Sequence, residues 1–385
     1  MGTKTIMSGL MSALLACTGG AIMIVQAAAT AGLTKAELVS WFTSAYVIGG
    51  LLNLFLTLRY RIPFAGAHSI TATAFLGTTA IGFTFPQLAG AFVMSGVLLL
   101  LAGISGLFAK VMDVIPKSLI DALLAGVLLS YVIGIVPAAV QLPYAGLLAA
   151  AGYFIMPRVF KKWPPVLWSI LFGLIGLSLE FRLPALPHAD YIPPLLVIPQ
   201  FTIEGFLSIA IPMSVLILSN DLAVALAALR SNQYNPPVNK TLMASGFASI
   251  LAGWFGGNAA NVGGLMSALC SSAEAGPKEK RYGAALLSSV IVIVFGAFAW
   301  RVIDMLDALP SPFVAMLTGF SLLGLFLRAL KSAFSDKFLL IPACITFAIA
   351  ALHLGMLGIS TPVWALLAGM VFMKLLKKRN AKEYL

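Results

Sequence analysis

Apolar runs long enough to cross a membrane follow one another along this chain with only short polar breaks, which leaves room for few folds. A membrane-crossing helix needs about 20 apolar residues. Long runs lie at about 8–30, 38–58, 84–109, 116–137, 205–229, 283–303, 311–327, 338–353 and 359–376. Shorter ones lie at about 65–80, 143–157, 165–180, 240–256 and 258–273. Fourteen spans are therefore expected, and an all-α polytopic membrane protein, because helices satisfy their own backbone in lipid. Composition agrees: the 385 residues are 60% hydrophobic and 10% charged, whereas a soluble chain carries about 25% charge. A cytosolic enzyme, a secreted disulfide scaffold and a disordered chain are excluded. Cys17, Cys270 and Cys344 sit in apolar runs without metal or disulfide spacing and read as small hydrophobes. Lys4 ahead of the first run and the small residues Ala27–Ala31 resemble a signal peptide, but the run is too long and is read as a span.

The charges set the expected orientation. With the N-terminus in the cytoplasm and sides alternating, 21 of the 24 Lys and Arg residues fall in inner loops, and Lys35, Arg182 and Arg301 fall outside. This asymmetry is the positive-inside pattern. It predicts a multi-pass protein of the cell inner (plasma) membrane with both termini cytoplasmic. The net charge of +11 thus reports topology, and no nucleic-acid partner is expected. The sequon Asn239-Lys240-Thr241 falls on the inner side and reads as unmodified. Tryptophans 41, 163, 168, 254, 300 and 364 fall near span ends, as an interfacial aromatic belt requires. The tail from Lys374 to Lys382 reads as a solvated stop-transfer segment.

Spans 3 and 10 are both short and rich in Gly, Ala, Ser and Thr, and each is third in a half of seven. An odd number of spans per half makes the halves inverted, with residues 1–200 as the first repeat and 201–385 as the second. Paired short, Gly-interrupted segments point to a transport site, with close helix packing as the alternative reading. If each is an extended piece followed by a half-helix, two helix N-termini face each other and favour an anion. His68, Ser69, Thr71, Asn258 and Asn261 then stand at the helix starts, placed to cap them or to reach a ligand.

Asp221 is the carboxylate set well inside an apolar run, beside Asn220. An Asp at a span centre costs about 2.5–3.5 kcal/mol, so it is expected either to carry a proton across or to be held by backbone and neighbouring amides. Asp121, near a span end, reads as a snorkelling or capping residue. Gln26, in the half-equivalent span, either bonds a neighbouring helix or contacts substrate. His188 and His353 lie in or near loops. No phosphate-binding loop with its lysine, zinc-protease helix or nucleophile elbow is present. Neither an enzyme nor a cofactor is expected, and the energy for transport must come from an ion gradient or from the substrate's own.

Several motifs together resemble the benzoate:proton symporter (BenE) family. They are Gly20-Ala21-Ile22-Met23-Ile24-Val25-Gln26-Ala27-Ala28, Ser40-Trp41, Leu58-Arg59-Tyr60-Arg61-Ile62-Pro63, and Phe255-Gly256-Gly257-Asn258-Ala259-Ala260-Asn261 followed by Ala268-Leu269-Cys270 and Glu274-Ala275. The similarity runs from about residue 8 to about 378. It implies the uracil-permease-like fold, a seven-plus-seven inverted repeat. Spans 1–4 and 8–11 would form a core domain that moves against a gate of spans 5–7 and 12–14. Substrate would lie between spans 3 and 10 with help from 1 and 8. The chain departs from the family at His68-Ser69-Ile70-Thr71, where a Trp-Ser-Thr-Pro-like run is usual, and at Asn258, where histidine is. A polar ring in place of an aromatic platform implies a different small carboxylate or a more polar aromatic compound beside benzoate.

The reading is thus a proton symporter for a small organic anion such as benzoate, with Asp221 carrying or relaying the proton. Gln26, His68, Ser69, Thr71, Asn220, Asn258 and Asn261 would surround the ligand. A carrier of nucleobases or inorganic anions, and an uncoupled channel or uniporter, stay open as alternatives. A homodimer is an expectation carried by the related fold.

Overall fold

The computed structural model describes residues 2–106, 108, 115–160, 163–182, 190–352 and 361–383, with side chains to 376 in the last stretch. His188, His353, Lys110, Lys161 and Lys162 lie outside the described residues, as do the side chains of the tail beyond 376. Each of the fourteen predicted runs carries a helix, and among the described residues there is no strand. The helices are α1 (Thr3–Thr30), α2 (Lys35–Tyr60), α3 (Ile70–Thr79), α4 (Phe85–Ser105), α5 (Lys117–Ile133), α6 (Pro143–Phe154) and α7 (Pro165–Glu180). The second half has α8 (Ile203–Ser231), α9 (Val238–Gly253), α10 (Gly264–Ser271), α11 (Tyr282–Ala297), α12 (Ser311–Ala333), α13 (Leu340–Ala351) and α14 (Thr361–Glu383). Seven are long and apolar enough to cross a membrane by themselves, counted among the described residues. Helix α5 continues as Ile135–Gln141 beyond Gly134, and α11 as Ala299–Asp307 beyond Phe298.

The helices pack in two groups. In one, α4 lies on α9, α2 and α1 on α11, α1 on α3, and α8 on α10. In the other, α6 lies on α7, α5 on α12 and α13, and α13 on α14. The first group thus draws its members from the first four helices of each half, and the second group takes the rest.

Two segments break the helical pattern, and both lie inside the first group. Residues 62–69 and 257–263 enter extended, then turn into α3 and α10. Extended backbone away from water has to find partners for its N–H and C=O groups. Here the two segments pair antiparallel: Asn261 N–H donates to Ala67 O and Gly263 N–H to Ala65 O, both at 3.0 Å. The close approach needs Gly66, since a Cβ there would come within 2.7 Å of Asn261 O. Flanking helices supply the remaining partners. Ala65 N–H donates to Ser267 Oγ at 3.1 Å, and that hydroxyl donates back to Ala65 O at 3.0 Å. Ser249 does the same for Ala260, at 3.0 and 3.1 Å. Thr57 donates to Phe64 O at 2.9 Å, and Asn53 Nδ2 to Asn261 O at 3.0 Å.

Among the described residues three aspartates are buried, and two of them have a lysine. Asp121 pairs with Lys117 one turn earlier, at 3.0 Å, and Asp304 pairs with Lys35 at the start of α2. Trp163 and Trp254 are 37% and 42% exposed, in keeping with a belt, but Trp41 is 0% exposed. That tryptophan enters the interior because α2 already starts at Lys35, which places it nearly two turns inside.

If Ser267 completes the extended pair, Ser267→Ala orphans the Ala65 N–H, at about 1–3 kcal/mol, while Ala65 O keeps the Gly263 N–H. The melting temperature of the purified protein should fall by several degrees. Ser231→Ala, which removes an exposed hydroxyl bonded to its own helix, should leave it unchanged.

Candidate functional site

Asp221 sits where α8 departs from regular geometry. Pro212 has no N–H to give the preceding turn, and the helix widens into π-helical turns at Phe206–Ala210 and Ile217–Leu222. The second contains Asn220 and Asp221. The Asp221 residue is 9% exposed, and its Oδ2 accepts hydrogen bonds from Ser69 Oγ and from Thr71 Oγ1, the latter at 3.0 Å. Ser69 is also the N-cap of α3, accepting from Ala72 N–H at 3.0 Å. The carboxylate therefore lies at the start of α3, where unpaired N–H groups and the helix dipole favour negative charge. Among the described residues no lysine, arginine or histidine forms an ion pair with it.

Asn261 adds a second polar feature. Its backbone is used in the extended pair, while its side chain, in a residue 0% exposed, faces the Asp221 carboxylate without closing a hydrogen bond. Both its amide nitrogen and its amide oxygen are buried and unpartnered, as is Asn220 Nδ2. Unpaired buried amides are rare, because each costs about 1–3 kcal/mol. Gln26 is half-buried on α1, one turn before Thr30, whose hydroxyl reaches Gly77 O of α3 at 3.1 Å.

His68 and Asn258 belong to a different network. Trp41 Nε1–H donates to Asn258 Oδ1 at 3.0 Å, and Asn258 Nδ2 donates to Thr73 Oγ1 at 3.1 Å. The Thr73 hydroxyl donates to Ser69 O at 2.7 Å, so its oxygen is left to accept from His68 Nδ1–H at 3.1 Å. The far edge of the imidazole faces the Tyr46 phenol at 3.4 Å, and that phenol donates to Ala16 O at 2.8 Å. Gly20 makes room for this stack, because a Cβ there would lie 2.6 Å from His68 Nε2.

Of the residues read from the sequence, the fold thus brings Ser69, Thr71, Asp221 and Asn261 together, with Asn220 in the same turn as Asp221. It places His68 and Asn258 behind them in internal hydrogen bonds. Tyr46 and Thr73 went unread, and Trp41 was read as a belt residue: nothing local in the sequence pairs an indole on one helix with an amide more than two hundred residues away. Among the described residues no group of three or more His, Cys, Asp or Glu is placed to hold a metal.

A family model described as "Benzoate membrane transport protein" matches residues 1–375. The chain is 29% identical to the inner membrane protein YdcO of Escherichia coli (strain K12), over 98% of this chain and 97% of that one. It is 26% identical to the benzoate membrane transport protein of Acinetobacter baylyi, over 97% and 95%. Among solved structures, the transmembrane domain of a cyanobacterial bicarbonate transporter, BicA, superposes with a TM-score of 0.63 at 15% identity, covering 96% of this chain and 98% of that one. That likeness is one of fold.

The two networks should respond differently to truncation. Asn258→Ala strands the Trp41 N–H and should lower the melting temperature of the purified protein, at a cost of about 1–3 kcal/mol. Asn261→Ala removes an amide that already lacks partners and should leave the melting temperature unchanged or slightly raised.

Proposed function

Because the chain belongs to the benzoate membrane transport protein family, and is a membrane transporter rather than an enzyme, we propose that it carries a small aromatic carboxylate such as benzoate together with a proton. One observation carries this reading: a buried carboxylate, Asp221, rests on two hydroxyls at a helix start, with the buried Asn261 amide facing it. The name of the Acinetobacter relative supports the substrate class.

The coupling follows from charge. The start of α3 is suited to one negative charge, and in the empty site Asp221 provides it. A substrate carboxylate brought to the same place would face like-charge repulsion unless Asp221 first takes up a proton. Ser69 and Thr71 allow this exchange without moving heavy atoms. With Asp221 ionised both hydroxyls donate to it. With Asp221 protonated its O–H donates to Thr71 Oγ1, and the Ser69 hydroxyl is free to donate to the substrate. The Asn261 and Asn220 amides supply further donors. The site then alternates between one bound Asp221 anion and one bound substrate anion with a neutral Asp221, which couples one proton to one substrate molecule.

In this reading the first packing group is the core domain, the second is the gate, and their relative movement exposes the site to each side in turn. Both termini lie in the cytoplasm, where the basic residues gather. The His68–Thr73–Asn258–Trp41 network holds α3 in place behind the site.

Uptake of labelled benzoate into proteoliposomes tests the reading. An inward pH gradient should drive accumulation, and Asp221→Asn should reduce that uptake roughly tenfold or more, a loss of at least about 1.4 kcal/mol. Retention of gradient-driven uptake by Asp221→Asn would remove the proton from this residue. Uptake of bicarbonate or uracil but of no aromatic acid would overturn the substrate class.

A further inference from the structure

Two features lie at opposite ends of the boundary between the packing groups. Near the N-terminus a cavity of about 390 Å³ opens between Met7, Ser8 and Met11 of α1, Leu269 and Ser272 at the end of α10, and Trp163 ahead of α7. Trp163 is its one lining residue from beside the second group. At the other end Tyr131 of α5 reaches across to α3, where its phenol donates to Ala74 O at 3.1 Å. The phenol oxygen occupies the notch above Gly77, which a Cβ would fill. The backbone of Tyr131 in turn lies against α12, with its carbonyl 2.6 Å from where a Cβ on Gly319 would stand. Tyr131 thus joins the helix pair α5 and α12 of the second group to α3, the helix that carries Ser69 and Thr71.

Helix α1 relates the two ends. Its first turns line the cavity, while Thr30 in its last turn bonds Gly77 O beside the Tyr131 contact. A helix of 28 residues is about 40 Å long, enough to cross the hydrocarbon. The cavity and the Tyr131 contact therefore belong to opposite faces of the membrane.

We propose that Tyr131 is the seal of the face away from the N-terminus, and that this conformer opens toward the N-terminal face through the cavity beside Trp163. The proposal rests on the core-and-gate reading above. Tyr131 acts through α3 and is a positioning residue. Its hydroxyl bonds a carbonyl that the gate leaves behind when it swings, so the bond exists in one conformer and favours it. Removing the hydroxyl alone should shift the population toward the opposite conformer by roughly fivefold, the worth of one ordinary hydrogen bond.

Thiol labelling with a membrane-impermeant maleimide tests this in a Cys344→Ser background, since Cys17 and Cys270 are buried. Gln26→Cys, one turn deeper than Thr30, reports the sealed side, and Ser8→Cys reports the cavity. With Tyr131→Phe, labelling of Gln26→Cys from the face away from the N-terminus should rise about fivefold, while labelling of Ser8→Cys from the N-terminal face should fall. Gly77→Ala, which displaces the phenol without altering Tyr131, should act in the same direction. Unchanged rates at both positions would overturn the proposal. A rise at both positions would overturn it too, since that is the mark of general loosening. Neither measurement uses a substrate or a pH gradient, so a failed benzoate or proton assignment shows separately from a failed seal.

Discussion

A carboxylate held inside a membrane protein without a cation has to be stabilised by dipoles, and the arrangement around Asp221 follows from that constraint. Asp121 and Asp304 are also buried, but each has a lysine to neutralise it. Asp221 has the hydroxyls of Ser69 and Thr71 and the open end of α3. Such a helix end can stand inside the bundle only if the chain arrives there in an extended form, and extended backbone away from water needs hydrogen-bond partners of its own. The pairing of Ala65 and Ala67 with Gly263 and Asn261 meets that need, as do the two-way bonds of Ser249 and Ser267. The small residues of the two short segments are what allow the pair to close.

Two polar networks result, and they differ in how far they are satisfied. The chain from Trp41 through Asn258 and Thr73 to His68 and Tyr46 has a partner for nearly every group, and such networks rigidify a core. The cluster of Asp221, Asn220 and Asn261 has groups to spare. In the proposed function a rigid network behind an incomplete one suits binding, because donors positioned in advance leave little ordering to be done.

Much of this was readable from residue order. The apolar runs marked where helices form, and the shortness and glycine content of the third and tenth runs marked where the helical pattern breaks. A lone aspartate in the eighth run pointed to where Ser69 and Thr71 gather around a buried carboxylate, since charge is scarce enough in such a chain to be conspicuous. Which polar residues near the helix starts turn inward to Asp221 was not readable. Ser69 and His68 are neighbours, and extended backbone sends successive side chains to opposite sides, so one meets the carboxylate and the other meets Thr73 and Tyr46. Trp41 carried a misleading signal: it lies near the end of an apolar run but well inside its helix. Tyr131 carried none, for an aromatic on an apolar face gives no hint of the carbonyl it reaches.

That the start of α3 holds one negative charge at a time, Asp221 or the substrate, is open to direct measurement. Benzoate added to purified protein in weakly buffered solution near neutral pH should draw up about one proton for each molecule bound, by linkage between the two sites, and Asp221→Asn should draw up none. Binding of benzoate to the unaltered protein with no proton uptake would contradict the exchange of charge on which the transport mechanism depends.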